Sequence, residues 1–179
     1  MTMDTSLSFS KIVATPNLAS WSQAYNAGKL FAVLSIEKKD TEDQDIESLN
    51  ILGKSLLEKT EQEFFILEIK DLESIKRSIL NSFKEIPSRL TVSFALCFFS
   101  VDILYLFILG KGKIFIKRDG KIGNILHSSD DNPKNISSSS GFIQDNDLIT
   151  LATSAFSDTI SQDELSTSLE KDNPSEATE

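Results

Sequence analysis

The chain contains very little histidine and cysteine, two residue types that often carry enzyme chemistry. Its one histidine is His127 and its one cysteine is Cys97. A Ser-His-Asp or Cys-His mechanism would have to use His127, which lies in a polar segment with no nucleophile motif beside it. A single cysteine excludes an internal disulfide and a multi-cysteine zinc site. These counts oppose triad-type catalysis and are typical of a protein of the reducing cytoplasm.

Five cations cluster on a predicted hairpin of a chain that is otherwise acidic: Lys111, Lys113, Lys117, Arg118 and Lys121. We favour the interpretation that they form the solvated face of this hairpin. The alternative is that Lys111, Lys113 and Arg118 contact a phosphate or a partner. The neighbouring glycines do not predict a phosphate-binding loop, because a strand rather than a helix follows them.

Charge and hydropathy narrow the classes of partner. The 179 residues include 18 Lys and Arg and 27 Asp and Glu, which gives a net charge of −9. Such a balance opposes binding to nucleic acid or to an anionic membrane, and we expect protein partners. No apolar run reaches the roughly 18 residues that span a bilayer, and no signal peptide is evident. We therefore expect a cytoplasmic protein that does not contact membranes, with its oligomeric state left open.

The first half of the chain predicts one strand followed by two helices. Residues 29–36 form an apolar run too short for a core helix, which predicts a buried strand. Thr41 and Gln44 have the spacing of a capping box for the first helix. A second helix is predicted over residues 71–85, and residues 64–69 fit either a strand or a helix.

From residue 90 the pattern is that of β-structure. Residues 90–126 contain four short runs rich in β-branched and aromatic side chains, which predict a four-strand antiparallel meander. Asp119-Gly120 predicts a type I′ hairpin turn, because both positions of that turn need positive φ. The serine-rich stretch 128–140 predicts a loop. A further strand and a capped helix follow, over residues 147–153 and 161–169.

This order of elements predicts the α+β class, with an antiparallel β-sandwich flanked by helices. We expect a single domain over residues 11–169. Residues 1–10 form a disordered start and residues 170–179 a disordered acidic tail in this prediction.

Four segments of the second half carry a resemblance to a known family. They are Gly110-Lys-Gly-Lys113, Arg118-Asp-Gly120, Asn146 to Asp158, and Ser161-Gln-Asp-Glu164. In order and spacing they resemble the PPM-type (type 2C), metal-dependent Ser/Thr protein phosphatases, and the wider similarity covers about residues 28–169. The resemblance implies a phosphatase-like β-sandwich. It also implies hydrolysis of phosphoserine and phosphothreonine by water activated by a pair of Mg²⁺ or Mn²⁺ ions.

The residues that would hold those ions depart from the family pattern. Such hard ions need several carboxylate oxygens. The resemblance places Ser35 and Ser154 at the two core metal-binding aspartates, so these are degenerate metal-site positions. Asp158 matches a further family aspartate associated with an extra metal ion, although we favour a cap at the start of a helix. The family's Arg-x-x-Asn-Glu/Asp and closing Asp-Asn/Asp-x-Thr motifs are not found.

The sequence therefore predicts a pseudophosphatase: a phosphatase-like domain without the dinuclear metal site, acting as a cytosolic binding or regulatory module. No cofactor is expected, with Mg²⁺ or Mn²⁺ only if the site is intact. One alternative is a divergent active phosphatase whose carboxylates come from residues elsewhere: Asp40, Asp43, Asp147 or Asp158. The other is an unrelated α+β protein-interaction domain, which would have helices on a single sheet.

Overall fold

The computed structural model describes residues 7–40, 46–171 and 173–178. The strands in these ranges are β1 (Ser20–Ala27), β2 (Leu30–Lys38), β3 (Leu90–Ser100), β4 (Ile103–Gly110), β5 (Gly112–Arg118), β6 (Lys121–Ser128), β7 (Ile136–Phe142) and β8 (Leu148–Thr153). The helices are α1 (Ile46–Phe65), α2 (Leu72–Phe83), α3 (Ser154–Ser157), α4 (Gln162–Leu169) and α5 (Pro174–Ala177).

The strands form two antiparallel sheets that pack face to face. The larger sheet has the order β1-β2-β3-β4-β7 and the smaller one the order β6-β5-β8. Helices α1 and α2 cover the outer face of the larger sheet, and α4 packs on the outer face of the smaller sheet. The molecule is thus a helix-flanked antiparallel sandwich, which confirms the predicted α+β class and excludes helices on a single sheet.

Strand periodicity decides which side chains lie between the sheets. In β2, Leu34 and Ile36 belong to the core shared with α1 and α2, whereas Phe31 and Val33 belong to the core shared with the smaller sheet. Successive side chains of a strand point to opposite faces. Ser35 therefore lies on the face of β2 that meets the smaller sheet.

The predicted four-strand meander is wrong in one connection. All four strands exist and form the hairpins β3-β4 and β5-β6, but β4 and β5 belong to different sheets. The chain crosses between the sheets at Gly110, which has φ +74°, and a β-carbon there would lie 1.9 Å from the carbonyl oxygen of Val92. The turn at Asp119 and Gly120 is confirmed, with φ values of 51° and 72°.

Two strands were missed. Strand β1 pairs with β2 along its whole length, but its sequence does not alternate clearly between apolar and polar residues. The serine-rich stretch predicted as a loop contains β7, which pairs with β4 from Phe142 to Ile136. The ladder bonds of an edge strand join backbone groups, so a run of serines can form one. Only residues 129–135 remain as the loop.

The helix predictions stand where the structure describes them. Asp71 caps α2, and Ser161 and Glu164 form the predicted capping box of α4. Helix α1 continues to Phe65, which assigns the first part of the ambiguous segment 64–69 to a helix. The proposed cap of α1 at Thr41 lies outside the described residues.

The chain ends carry little regular structure. Residues 7–19 form no helix and almost no strand before β1, and α5 is a single turn within the predicted tail, with Ala177 packed near the α4 core. The disordered ends and the domain boundaries of the sequence analysis remain predictions. None of the helices in the described part of the chain combines the length and apolar character needed to cross a bilayer.

Candidate functional site

The two serines singled out by their sequence positions lie at the same end of the sandwich. Ser35 on β2 is opposite Ser93 on β3, and Ser93 is opposite Gly110 on β4. In the smaller sheet, Gly112 is opposite Thr153, the residue before Ser154. The crossover between the sheets therefore brings the ends of β2, β3 and β8 together. We call Ser35, Ser93 and Ser154 the serine cluster.

Ser93 connects the two sheets within this cluster. Its hydroxyl group donates a hydrogen bond to the carbonyl oxygen of Lys111, the residue at the crossover. The same oxygen accepts a hydrogen bond of 2.9 Å from the backbone N–H of Ser154. Sequence reasoning missed Ser93, because a single serine in a strand carries no signal until its register with Ser35 is known.

Ser35 is the most enclosed member of the cluster. Its side chain is 2% exposed. Its hydroxyl oxygen has no hydrogen-bond partner among the described residues, although buried polar groups are nearly always paired. A neutral hydroxyl is thus the group that this end of β2 presents to the space between the sheets.

Asp158 follows Ser154 by four positions, and it is exposed. It ends α3 and does not start a helix: its backbone N–H donates to the carbonyl oxygen of Ser154 at 2.9 Å, and Ser161 caps the following helix. The helix-start interpretation of Asp158 is therefore wrong. Its suggested role as a metal ligand remains a prediction.

Lys111 lies beside the cluster and is already paired. Its Nζ is 2.9 Å from Oδ1 of Asp131 in the loop before β7. The pKa of Lys111 is raised from its ordinary value, chiefly by this hydrogen bond and to a smaller degree by the negative charge of Asp158. Both partners are substantially exposed, so the pair contributes little to stability, although it places a cation at this end of the sandwich.

Lys113 lies on β5, two residues after Lys111, which precedes this strand. It lies on the outer side of the smaller sheet, as does Phe115, which packs against α4. There Lys113 lines a small cavity of about 130 Å³ together with Phe156 and Leu165. Lys111 is not among the residues that line this cavity, and its ammonium group pairs instead with Asp131.

Arg118 and Asp147 form an ion pair at the opposite end of the smaller sheet. Arg118 Nη2 lies 2.6 Å from Asp147 Oδ2, and its Nε donates to Oδ1 at 2.8 Å. Burial favours a higher pKa for Asp147, but hydrogen bonds from Arg118 and from the backbone N–H of Gln144 outweigh it and lower the pKa. Ser154 lies seven positions after Asp147, a distance of about 23 Å along an extended chain. Neither charged group can reach the serine cluster.

The donor atoms of the serine cluster do not fit a pair of Mg²⁺ or Mn²⁺ ions. Its side chains are neutral hydroxyl groups, and the oxygen of Ser93 is already engaged by two backbone groups. In the described ranges, no three or more His, Cys, Asp and Glu side chains are grouped so that they could hold a metal ion. Asp43, suggested as an alternative ligand, lies outside those ranges. A dinuclear centre requires several carboxylates, which this arrangement does not supply.

Sequence comparisons do not identify a relative. No protein-family model matches the chain, and no curated protein is significantly similar to it in sequence.

Structural comparison finds phosphatase structures. The catalytic domain of the serine/threonine protein phosphatase PstP, in complex with two manganese ions, superimposes with a TM-score of 0.67 at 12% identity, covering 88% of this chain and 80% of that chain. The PPM Ser-Thr phosphatase MsPP from Mycobacterium smegmatis gives 0.65 at 10% identity, with coverage of 88% and 81%. PppA of Pseudomonas aeruginosa, a regulatory component of T6SS, gives 0.64 at 11% identity, with coverage of 92% and 88%.

At these identities the likeness concerns the fold alone. It agrees with the two packed antiparallel sheets and the flanking helices, and it is opposed to the alternative of an unrelated α+β interaction domain. The resemblance read from the sequence is confirmed at this level: the chain has a PPM phosphatase-like fold.

Proposed function

We propose that this chain is a pseudophosphatase: a cytoplasmic, phosphatase-like domain that binds other proteins and does not hydrolyse phosphate esters at a metal pair. The observation that supports it is the serine cluster. Ser35 and Ser154 stand at the two positions that the resemblance assigns to metal-binding aspartates, and Ser93 ties Ser154 to the crossover by hydrogen bonds.

The physical argument concerns charge. Two divalent cations carry four positive charges, which a protein offsets with carboxylates that are ionised at neutral pH. Serine hydroxyl groups remain neutral at that pH, and Ser35 is buried where an uncompensated cation would be strongly disfavoured. The PstP catalytic domain, by contrast, is in complex with two manganese ions. Without such ions, no water at this position is converted to hydroxide near pH 7.

The proposal is tested by metal titration and by turnover measured on the same folded sample. We expect no micromolar binding of Mn²⁺ or Mg²⁺ by calorimetry and no hydrolysis of an aryl phosphate above the rate without protein. Turnover that requires Mn²⁺ and is lost in Asp158→Ala would contradict the proposal and establish the divergent active phosphatase instead.

A gain-of-binding variant tests whether the serine positions are the missing ligands. The double variant Ser35→Asp, Ser154→Asp puts carboxylates back at both positions. Without metal, we expect the free energy of unfolding of this variant to fall by about 3 kcal/mol or more, because two like charges come close together at the cluster. Added Mn²⁺ should restore part of this loss, because a ligand that binds only the folded state stabilises it.

The matched control is Ser78→Asp, Ser82→Asp on α2, where both serines are buried against the larger sheet. This control should also lose stability, and Mn²⁺ should not restore it. If Mn²⁺ restores neither variant, the two serine positions are not equivalent to metal-ligand positions, and the argument from the cluster fails.

A further inference from the structure

An apolar groove lies at the end of the larger sheet opposite the serine cluster. It is formed between the β1-β2 hairpin tip and the end of α1, with a volume of about 430 Å³. The residues lining it include Gly28, Leu30, Phe64 and Phe98. Ser35 is five residues along β2 from Leu30, about 17 Å away. The groove is therefore separate from the serine cluster.

The floor of this groove is a packed aromatic cluster. The rings of Phe64 and Phe98 meet at 4.9 Å between centroids, and those of Phe64 and Phe65 at 5.3 Å, each with edge-to-face geometry. Phe64 and Leu30 are almost fully buried beneath the surface. Because these side chains are held by the core, the floor is rigid before any ligand arrives.

The α1 side of the groove continues into exposed apolar residues. Phe65, Ile66 and Ile69 are 52%, 73% and 67% exposed. Single exposed apolar side chains are common on protein surfaces, but three within five residues beside an apolar groove form a patch of the kind found at protein-protein interaction sites.

Two lysines flank the groove. Lys70 Nζ lies 5.3 Å from the centre of the Phe64 ring and donates a 2.8 Å hydrogen bond to the carbonyl oxygen of Leu67, so its ammonium group is held at the rim. Lys29 is exposed at the hairpin tip on the other side. Neither lysine forms an ion pair with another residue of the described ranges. The groove thus combines an apolar floor with two cations that lack a carboxylate partner there.

We propose that this groove binds a peptide segment of a partner protein that carries a bulky apolar side chain flanked by acidic residues. The apolar side chain would lie on Phe64 and Phe98, and the carboxylates would pair with Lys29 and Lys70. A basic segment would bring like charges together, which disfavours it. Glu68 and Asp71 lie close to Lys70 along the chain, but the charged residues that line the groove itself are Lys29 and Lys70. Salt screens the more distant negative charges beyond about 8 Å under physiological conditions.

This inference does not depend on the serine cluster. It holds whether or not that end of the sandwich hydrolyses phosphate, because no residue of the groove takes part there. Failure of the metal experiments therefore leaves it standing, and failure of the peptide experiment leaves the proposed function standing.

The test uses three fluorescent peptides of equal length, each with a central phenylalanine flanked by aspartates, by asparagines or by lysines. Fluorescence anisotropy with the full chain measures their affinities. We expect the aspartate peptide to bind most tightly, and Lys29→Glu, Lys70→Glu to weaken it at least about fivefold. Phe65→Ala should weaken both the aspartate and the asparagine peptides.

Two matched control variants lie on α1, the helix that carries Phe65. Lys54→Glu makes the charge change of one of these two lysine substitutions at an exposed position remote from the groove, and Ile51→Ala truncates a side chain that is 64% exposed. Neither should change binding. Equal affinities for the aspartate and lysine peptides, no binding of any peptide, or an equal loss in Lys54→Glu would each overturn the proposal. So would concentration-dependent self-association that Phe65→Ala abolishes, because the groove would then be an interface between two copies of this chain.

Discussion

The Ser93→Ala variant probes the connection that Ser93 makes between the two sheets. Removing the hydroxyl group leaves the carbonyl of Lys111 and the backbone N–H of Ser154 without their partner. Ser93 is 3% exposed, so water cannot readily replace the lost bonds. A buried polar group left unpaired costs about 1–3 kcal/mol. For two such groups we expect a loss of about 3 kcal/mol, after allowing for some relaxation.

The assay is urea unfolding followed by far-UV circular dichroism, with the midpoint and slope measured for each protein. Ser82→Ala is the matched control, because Ser82 is 2% exposed and its hydroxyl group donates to the carbonyl of Ser78 one turn earlier in the same helix. The carbonyl of Ser78 still accepts its helical backbone hydrogen bond in α2 when the Ser82 hydroxyl group is removed. Ser82→Ala should therefore cost less than about 1 kcal/mol of stability.

The stability losses of Ser93→Ala and Ser82→Ala together test whether Ser93 connects the two sheets. If Ser93→Ala loses no more stability than Ser82→Ala, Ser93 does not join the sheets in the way its hydrogen bonds indicate. Excess chelator should leave the wild-type unfolding curve unchanged, because no metal ion takes part in this connection. A large stabilisation of the wild type by Mn²⁺ would refute that part of the reasoning.

Two further predictions concern the crossover and the far ion pair. Gly110→Ala should lose more than about 3 kcal/mol of stability, measured by thermal unfolding, because its β-carbon would lie 1.9 Å from a carbonyl oxygen. Gly120→Ala, with φ +72° and no atom within 4 Å, should lose only about 1 kcal/mol, and equal losses would contradict the steric argument. The lowered pKa of Asp147 stabilises the fold above its unfolded value of 3.8, and this contribution is lost as the pH falls through the folded-state pKa. Asp147→Asn should therefore cost about 1–2 kcal/mol of stability at pH 7 and less at pH 3, measured by urea unfolding at both values. The same loss at both pH values would show that the charge of Asp147 is not what stabilises the pair with Arg118.

Most individual elements could be predicted because their signals are local. Helix α4 begins where Ser161 and Glu164 satisfy each other's backbone groups, and α2 begins at the Asp71 cap. The turn at Asp119 needs only the backbone preferences of two neighbouring residues. A short apolar run is also a local signal, which is why β2 was predicted close to its observed bounds.

The missed strands show where local signals stop. Strand β7 is mostly serine, and it forms a strand because β4 supplies a ladder of backbone partners. These partners are 27 residues away in the pair Leu109 and Ile136 and 39 residues away in the pair Ile103 and Phe142. Strand β1 lies at the other edge of the same sheet, and most of its side chains are only partly buried. Edge positions impose a weak hydrophobic pattern, so neither strand was readable from composition.

The sequence by itself determined that this is an acidic α+β protein with a phosphatase-like fold, and that hydroxyl groups stand at Ser35 and Ser154. Only the tertiary structure decided that Ser93 lies opposite Ser35 and accepts a hydrogen bond from the backbone of Ser154. It also decided that Lys111 and Arg118 lie at opposite ends of the smaller sheet and that β4 and β5 belong to different sheets. The reason is physical: residue type and spacing along the chain act over one turn or one strand. Which groups meet across a sandwich depends on register and on the pairing of distant segments, and these follow from packing the whole chain.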